Sequence, residues 1–420
     1  MALLPPAMDS PTLHFPVFTR LVMIALLAIA VSAGAQEVRS VPQRSATAPS
    51  DEPPSPLLAP RDPLAGEKRT EGFDLGVILS VAYDSNIFLS ATNERSDFVT
   101  RVAPKIAYSI GDRDSQDGGY LKVAYSPSGV VYAGNSDDNR VDHVGAVSVG
   151  VIGKMASLDY SLAYGKSGDA TADAGRVADR STLDHVVRIA WVPREKLALE
   201  VAAGQSLAEY ADKVLLDSRE AFGEFALKYA YSPKTRLSLA YRAGRFEVDG
   251  ADDQRFHRVM AGIEWQPREK LRVELAAGAE KRKFSSGSEV TPVMEGRIGW
   301  KASEKTDLYL TAYRRETASA FSVGQNYRLT GLTAGFSQKI GDRWTARLEA
   351  GAERASYRYI DGSSGDAGHD DLWFVRPSIE YRFSEQFGLE VFCRISRNDS
   401  TRPGFGYDQQ NAGVSLQYRF

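Results

Sequence analysis

From Phe73 onward the chain alternates apolar and polar residues with a period of two. In "LRVELAAGAEKR" the residues Leu271, Val273, Leu275 and Ala277 hold one parity, and Arg272, Glu274, Glu280 and Arg282 hold the other. In "LWFVRPSIEYRF" Trp373, Val375, Ile379, Tyr381 and Phe383 oppose Arg376, Glu380 and Arg382. "TARLEAGAE" sets Ala346, Leu348 and Ala350 against Arg347, Glu349 and Glu353. The last stretch, "NAGVSLQYRF", places Ala412, Val414, Leu416, Tyr418 and Phe420 on a single face. Such alternation is the signature of strands with one apolar and one polar face.

The strands come in hairpins. "VPREKLALEVAAG", "SPKTRLSLAYRAG", "QPREKLRVELAAG", "ASEKTDLYLTAYR", "GDRWTARLEAGAE" and "SEQFGLEVFCRIS" each read as a tight turn followed by a strand, and they recur every 34 to 43 residues. Returning strands such as "FGEFALKYAY" and "HRVMAGIEW" lie between them. The pattern predicts about eighteen segments of roughly ten residues, enough for each to cross a bilayer as a tilted strand. Short turns are expected around Gly153, Pro193, Pro233, Pro267, Glu304, Gly341 and Glu385, and longer loops at Ser167–Arg180, Leu207–Asp217 and Ile360–Asp370. Short turns at one end and longer loops at the other are the asymmetry of outer-membrane barrels, and an even strand count leaves both ends of the barrel on the short-turn, periplasmic side.

A soluble sandwich would carry the same alternation with its apolar face turned inward. Trp191, Tyr231, Trp265, Trp300 and Phe383 all fall where a strand meets a short turn, as in an interfacial aromatic girdle. The expected fold is therefore an all-β, transmembrane, antiparallel up-and-down barrel over residues 71–420. The apolar parity ending in Val414, Leu416, Tyr418 and Phe420 resembles the C-terminal signal by which Gram-negative bacteria recognise such barrels, which implies the barrel assembly machinery and outer-membrane lipid as partners.

The segment before the barrel supports export. "LVMIALLAIAVSAGA" follows Arg20 and ends in the small residues Ala33, Gly34 and Ala35, a secretory signal peptide over 1–35, with Met1 or Met8 as the start. Residues 36–70 are rich in proline and read as a disordered periplasmic linker. The balance of 51 Lys+Arg against 54 Asp+Glu gives no basic footprint for nucleic acid. The lone Cys393 cannot form an intrachain disulfide.

Within the barrel, Arg236, Arg242, Arg258, Arg272, Glu274, Glu280, Arg282, Glu295, Arg297, Arg347, Glu349, Arg376 and Glu380 are expected to line the lumen. They read both as cross-strand ion pairs that stiffen the wall and as the lining of a hydrated conduit, since about eighteen strands leave room for an aqueous channel. No loop is long enough to suggest a plug. A hydrolase would need one of His143, His185 or His257 beside an outward serine, yet the candidates near His185, Ser161 and Ser206, have inward parity. No calcium-loop or phosphate-loop spacing occurs, so no catalytic residue, metal or cofactor is assigned.

The first hairpin, "GVILSVAYDSNIFLSATNERSDFVTRVAPKIAYSIG", contains Tyr83-Asp84-Ser85-Asn86-Ile87-Phe88, then Ser96-Asp97 and Pro104. It resembles the opening of the β-barrel porin type 2 family. The resemblance implies an outer-membrane barrel associated with exopolysaccharide production. From the residues themselves, Tyr83 to Phe88 read as a fixed turn in which Asp, Ser and Asn bond back to the backbone. The functional expectation is a non-enzymatic, porin-like conduit for hydrophilic solutes, with a secreted polysaccharide as a candidate. The alternatives are a non-conducting anchor of an envelope export complex and an outer-membrane hydrolase.

Overall fold

The computed structural model describes residues 72–111, 118–169, 178–212, 214–360 and 367–420. The signal peptide and linker expected from the sequence lie outside them. Eighteen strands are formed. The first six are β1 (Gly72–Asp84), β2 (Asp97–Ile110), β3 (Gly118–Tyr132), β4 (Arg140–Ile152), β5 (Ala156–Ser167) and β6 (Arg180–Arg194). The next are β7 (Leu197–Tyr210), β8 (Ser218–Ser232), β9 (Thr235–Val248), β10 (Gln254–Arg268), β11 (Leu271–Phe284) and β12 (Gly287–Lys301). The last are β13 (Thr306–Ala318), β14 (Gln325–Ile340), β15 (Trp344–Tyr359), β16 (His369–Arg382), β17 (Phe387–Ser400) and β18 (Tyr407–Arg419).

Each strand pairs antiparallel with its sequence neighbours, and β1 pairs with β18 from Gly76↔Arg419 to Asp84↔Asn411, closing the sheet. Closure leaves no free edge, so every strand can satisfy its backbone groups within the wall, as a bilayer requires. Both ends of the barrel lie at the short-turn end, which an even number of strands dictates.

Two expectations need correction. The strands are 12 to 16 residues long rather than about ten, so they project beyond a bilayer at the loop end. The connections at that end are not uniformly long either. Ser285 and Ser286 alone join β11 to β12, because the left-handed backbone of Gly287 (φ 153°) allows a tight reversal.

The outer face is apolar along the strands, with Leu275 44% exposed on it. Trp191, Tyr231, Trp265 and Phe383 are exposed near the short-turn rim, and Trp300 is half-buried there. Pairs of rings extend that belt: Phe73–Tyr108 at 4.9 Å, Trp344–Tyr381 at 4.7 Å and Tyr418–Phe420 at 4.8 Å between centroids. A second belt sits toward the loops. It contains Tyr83 against Phe98, and hydroxyl–imidazole pairs Tyr125–His143 at 2.8 Å and Tyr241–His257 at 2.7 Å. Amphipathic rings at two levels with an apolar band between them mark the two interfaces of a membrane.

The wall is split on one side. The ladder between β12 and β13 stops at Met294↔Arg314, although β12 continues to Gly287 and β13 to Ala318. Beyond that point side chains on the outward parity of β14 and β15, namely Asn326, Arg328 and Arg358, meet inward residues of β10–β12. The tops of β13–β15 therefore step inside β10–β12, and the wall is doubled there.

Candidate functional site

The lumen has two zones, and the wall's doubling determines where they lie. In the short-turn half several inward charges reach solvent, with Arg236 and Arg297 exposed. Arg236 donates to Glu264 at 3.1 Å, Arg272 lies 3.6 Å from Glu264 and bonds Glu274, and Lys228 lies 2.7 Å from Glu200. Arg297 is exposed and Glu295 half-buried on the same inward parity of β12. Further round the wall Arg347 bonds Glu380 and lies 3.8 Å from Glu390, Arg382 lies 3.8 Å from Glu380, and Glu349 accepts from the Tyr309 hydroxyl. Arg376 stacks over Phe392 at 5.5 Å. Both signs alternate, so the lining carries little net charge.

In the loop half of β8–β15 the inward residues are packed. Arg242 donates from Nε to Glu224 at 2.9 Å and stacks over Phe222 at 4.0 Å. Arg258 donates to Glu280 from Nε and Nη2 at 2.8 and 2.6 Å, and Arg282 donates from Nε to the other Glu280 oxygen at 2.8 Å. Arg282, only 2% exposed, reaches on to Gln254 Oε1 at 3.3 Å. Gln254 and the fully buried Asn326 exchange amide bonds at 3.0 and 2.9 Å, although they belong to β10 and β14. Asn326 also donates to Glu316 at 3.0 Å, Thr291 donates to the other Glu316 oxygen at 2.8 Å, and Arg358 pairs with both Glu316 and Glu289. These charges tolerate burial because each carboxylate is held by cationic or hydrogen-bond donors; removing one partner would strand the other. Beneath them Ala226, Ala240, Met260, Ala276 and Val293 form an apolar floor on the same inward parity.

Of the residues expected to line the lumen, the structure sets Arg236, Arg272, Glu274, Glu295 and Arg297 in the accessible zone and Arg242, Arg258, Glu280 and Arg282 in the packed one. Strand parity alone does not bring Gln254, Thr291, Glu316, Asn326 and Arg358 together. One signal was present. The tops of β13 and β14, "RRETA" and "QNYR", are polar on both parities, which a strand facing lipid on one side does not allow.

Loops extend the closure across the mouth. The loop between β13 and β14, residues 319–324, touches neighbours on both sides. Leu216 donates its N–H to the Ala320 carbonyl at 2.8 Å, with Ala178, Tyr210 and Leu215 packed beside Ala320. On the other flank Phe321 meets Phe405 edge-on at 5.1 Å. The expectation that no loop is long enough to plug the lumen did not foresee this packing across the mouth. It considered loop length alone, whereas here a six-residue loop is carried inward by its strands.

On the opposite wall Arg101 lies 3.2 Å from Asp142 and 2.7 Å from Asp169, and Arg140 joins the same two carboxylates. Burial pushes the Asp169 carboxyl up, but the guanidiniums of Arg101 and Arg140 outweigh it and hold it below the usual carboxylate range. Among the described residues no group of three or more His, Cys, Asp or Glu side chains is arranged to hold a metal. Ser161 and Ser206 lie on the inward parity, whereas His143 and His257 face outward toward tyrosine hydroxyls.

The motif Tyr83-Asp84-Ser85-Asn86 does more than turn the chain. Asn86 N–H does bond back to Asp84 at 2.9 Å. In addition Asp84 accepts from Gln409 at 2.9 Å and Asn411 at 3.0 Å, Gln410 N–H donates to Ser85 Oγ at 2.9 Å, and Asn86 donates to the Asp408 carbonyl at 3.1 Å. Tyr83 points outward against Phe98. The motif clasps β1 to β18.

A closed wall of eighteen antiparallel strands, apolar outside, charged inside and belted with aromatic rings at two levels, defines an outer-membrane β-barrel. No protein-family profile matches the chain. Among solved structures it is similar to OpdL of Pseudomonas aeruginosa (TM-score 0.44, 11% identity, 83% of this chain and 98% of that one). It is similar in the same way to the outer membrane protein OpdK of Pseudomonas aeruginosa (0.43, 12%, 83% and 99%) and to OccAB3 of Acinetobacter baumannii (0.43, 12%, 83% and 99%). Similarity at this level carries neither the fold, which stands on the closed ladder, nor a solute. A 3-phosphoshikimate 1-carboxyvinyltransferase of Bordetella petrii is 33% identical over an alignment of 144 residues that covers 31% of this chain and 29% of that protein. The chain thus matches less than a third of that relative's length.

Proposed function

We propose that the barrel is a non-enzymatic conduit for hydrophilic solutes, narrowed at the loop end. The observation that carries this reading is the accessible inward face of the short-turn half. Arg236 and Arg297 are exposed there, and nearer the loop end of the opposite wall the inward Val144 of β4 is 56% exposed, so solvent reaches the space they face. A wall of this strand number encloses an aqueous lumen unless something fills it, and the doubled, packed wall lies on the β8–β15 side. The resemblance of Tyr83 to Asn86 and its flanks to the β-barrel porin type 2 family supports a place beside exopolysaccharide production, with a secreted polysaccharide as the candidate cargo. The outward parity of Val414, Leu416, Tyr418 and Phe420 supports β18 as the segment read by the barrel assembly machinery.

The competing reading is a sealed barrel that anchors an export complex, and the loop packing across the mouth favours it. Liposome swelling separates the two. Vesicles carrying the purified barrel should swell in small neutral sugars at a rate that falls with sugar size. Vesicles that stay sealed at high protein load would overturn the conduit.

A further inference from the structure

Outward cations at the loop end are neutralised around much of the rim. Arg354 of β15 is bidentate on Asp371 of β16, with both bonds at 2.6 Å. Arg397 of β17 lies 2.8 Å from Asp399 and 3.8 Å from Asp408. Arg245 of β9 lies 3.0 Å from Glu247 and also pairs with Asp253.

On β10 and β11 the pattern breaks. Arg255 sits in direct register between Arg245 and Lys283, and two residues down the wall His257 faces Lys281. Arg255, Lys281 and Lys283 are all exposed, and among the described residues none has a carboxylate partner. Like charges directly opposed on neighbouring strands are destabilising. Arg245 already has Glu247 and Asp253, so the rung costs stability at Arg255 opposite Lys283 unless an anion lies across that pair.

The height of the rung says which anion is available. Below Lys281 the outward parity of β11 reads Ala279, Ala277, Leu275, Val273 and Leu271, apolar throughout. Ten residues at about 3.4 Å each, tilted about 40°, raise Lys281 roughly 26 Å above Leu271, and the apolar band of such barrels is about 25 Å tall. The Tyr241–His257 pair, 2.7 Å apart, belongs to the aromatic belt at the same level. The cations thus emerge from the apolar band at the headgroup level of the outer leaflet, on the lipid side of the wall.

We propose that Arg255, Lys281 and Lys283 form a binding site for the phosphate groups of an outer-leaflet glycolipid, with His257 at its lower edge. The site needs only the membrane orientation and is independent of whether the lumen conducts.

The test uses the full chain in nanodiscs, titrated with bisphosphorylated lipid A, with the same lipid after dephosphorylation, and with inorganic phosphate. The bisphosphorylated lipid should bind, and the variant Arg255→Gln/Lys281→Gln/Lys283→Gln should bind it about a hundredfold more weakly, each surface cation being worth roughly fivefold on an anionic lipid. Arg354→Gln and Arg397→Gln, whose cations are already paired, should leave the affinity unchanged. Heat-modifiable gel mobility checks that each variant is folded; if the triple variant does not assemble, Lys283→Gln alone should still weaken binding about fivefold. Equal affinity of wild type and the folded variants would overturn the site, as would equal binding of the dephosphorylated lipid. Inorganic phosphate binding as tightly as the lipid would overturn the assignment to a lipid.

Discussion

Asn411 of β18 donates from Nδ2 to a carboxylate oxygen of Asp84 in β1, 3.0 Å away, across the seam that turns an eighteen-stranded sheet into a barrel. Both oxygens of the same carboxylate accept from Gln409 Nε2, at 3.1 and 2.9 Å, and one accepts from the Asn86 N–H, so one side chain ties β1, the turn after it and β18. Asp84→Ala would leave the buried Asn86 N–H and the half-buried Gln409 and Asn411 amides without this acceptor, at about 1–3 kcal/mol for a buried group. The temperature at which the barrel loses its fast gel mobility should fall in Asp84→Ala, and fall less in Ser85→Ala, which loses one bond. Equal transitions in wild type and Asp84→Ala would show that the clasp is dispensable.

Charge placed on the outer face should be far more damaging than charge placed in open lumen. Leu275→Arg puts a cation against lipid near the middle of the apolar band, costing roughly 2–4 kcal/mol. Val144→Arg adds one to solvent-filled space on the inward parity of β4. The yield of folded barrel should drop for the first and stay near wild type for the second. Equal yields would contradict the assignment of the two faces.

Leu275 and its chain neighbour Ala276 mark what the sequence could and could not convey. Parity alone assigns Leu275 to the lipid side and Ala276 to the lumen, and both stand that way in the structure. Parity does not reveal that Ala276 is 3% exposed within the apolar floor of the packed zone, where an arginine would be costly as well. Strand alternation is a local property and reads directly from the chain. The step of β13–β15 inside β10–β12 is a long-range event, bringing Gln254 to Asn326 across 72 residues of sequence. Its local trace is the loss of alternation in "RRETA" and "QNYR" at the tops of β13 and β14. The seam clasp was hidden for the same reason, since the partners of Asp84 lie more than 300 residues away.

The two lumen zones should respond differently to loss of arginine. Arg236→Gln combined with Arg272→Gln removes accessible cations beside Glu264 and Glu274, and should move the reversal potential in a salt gradient toward cation preference. The shift should shrink at high salt, where the Debye length falls to about 3 Å. Arg282→Gln instead leaves Glu280 short of a partner in the packed zone. Stranding a buried charge costs about 3–5 kcal/mol, so this variant should lose stability first. An Arg282→Gln barrel as stable as wild type would contradict the packed assignment.

The tie between Asp169 and the pair Arg101 and Arg140 carries a pH signature. The folded Asp169 carboxyl is held below its ordinary value near 4, so its stabilising contribution is complete above that value and is lost only as pH falls through the lowered one. The stability difference between wild type and Asp169→Asn should therefore be constant from pH 8 to about pH 5 and close only in stronger acid. A difference that already shrinks between pH 8 and pH 6 would contradict this account of the tie.

A solvent-filled lumen narrowed by the loop at 319–324 should pass ions. Single-channel current in a planar bilayer tests it most directly, comparing wild type with a barrel lacking Phe321, Ser322 and Val323. The account predicts discrete channels from wild type and a larger conductance from the shortened loop, because the contact with Phe405 and the inward reach of the loop are lost. A bilayer that stays silent with both proteins, or identical conductance from the two, would contradict it.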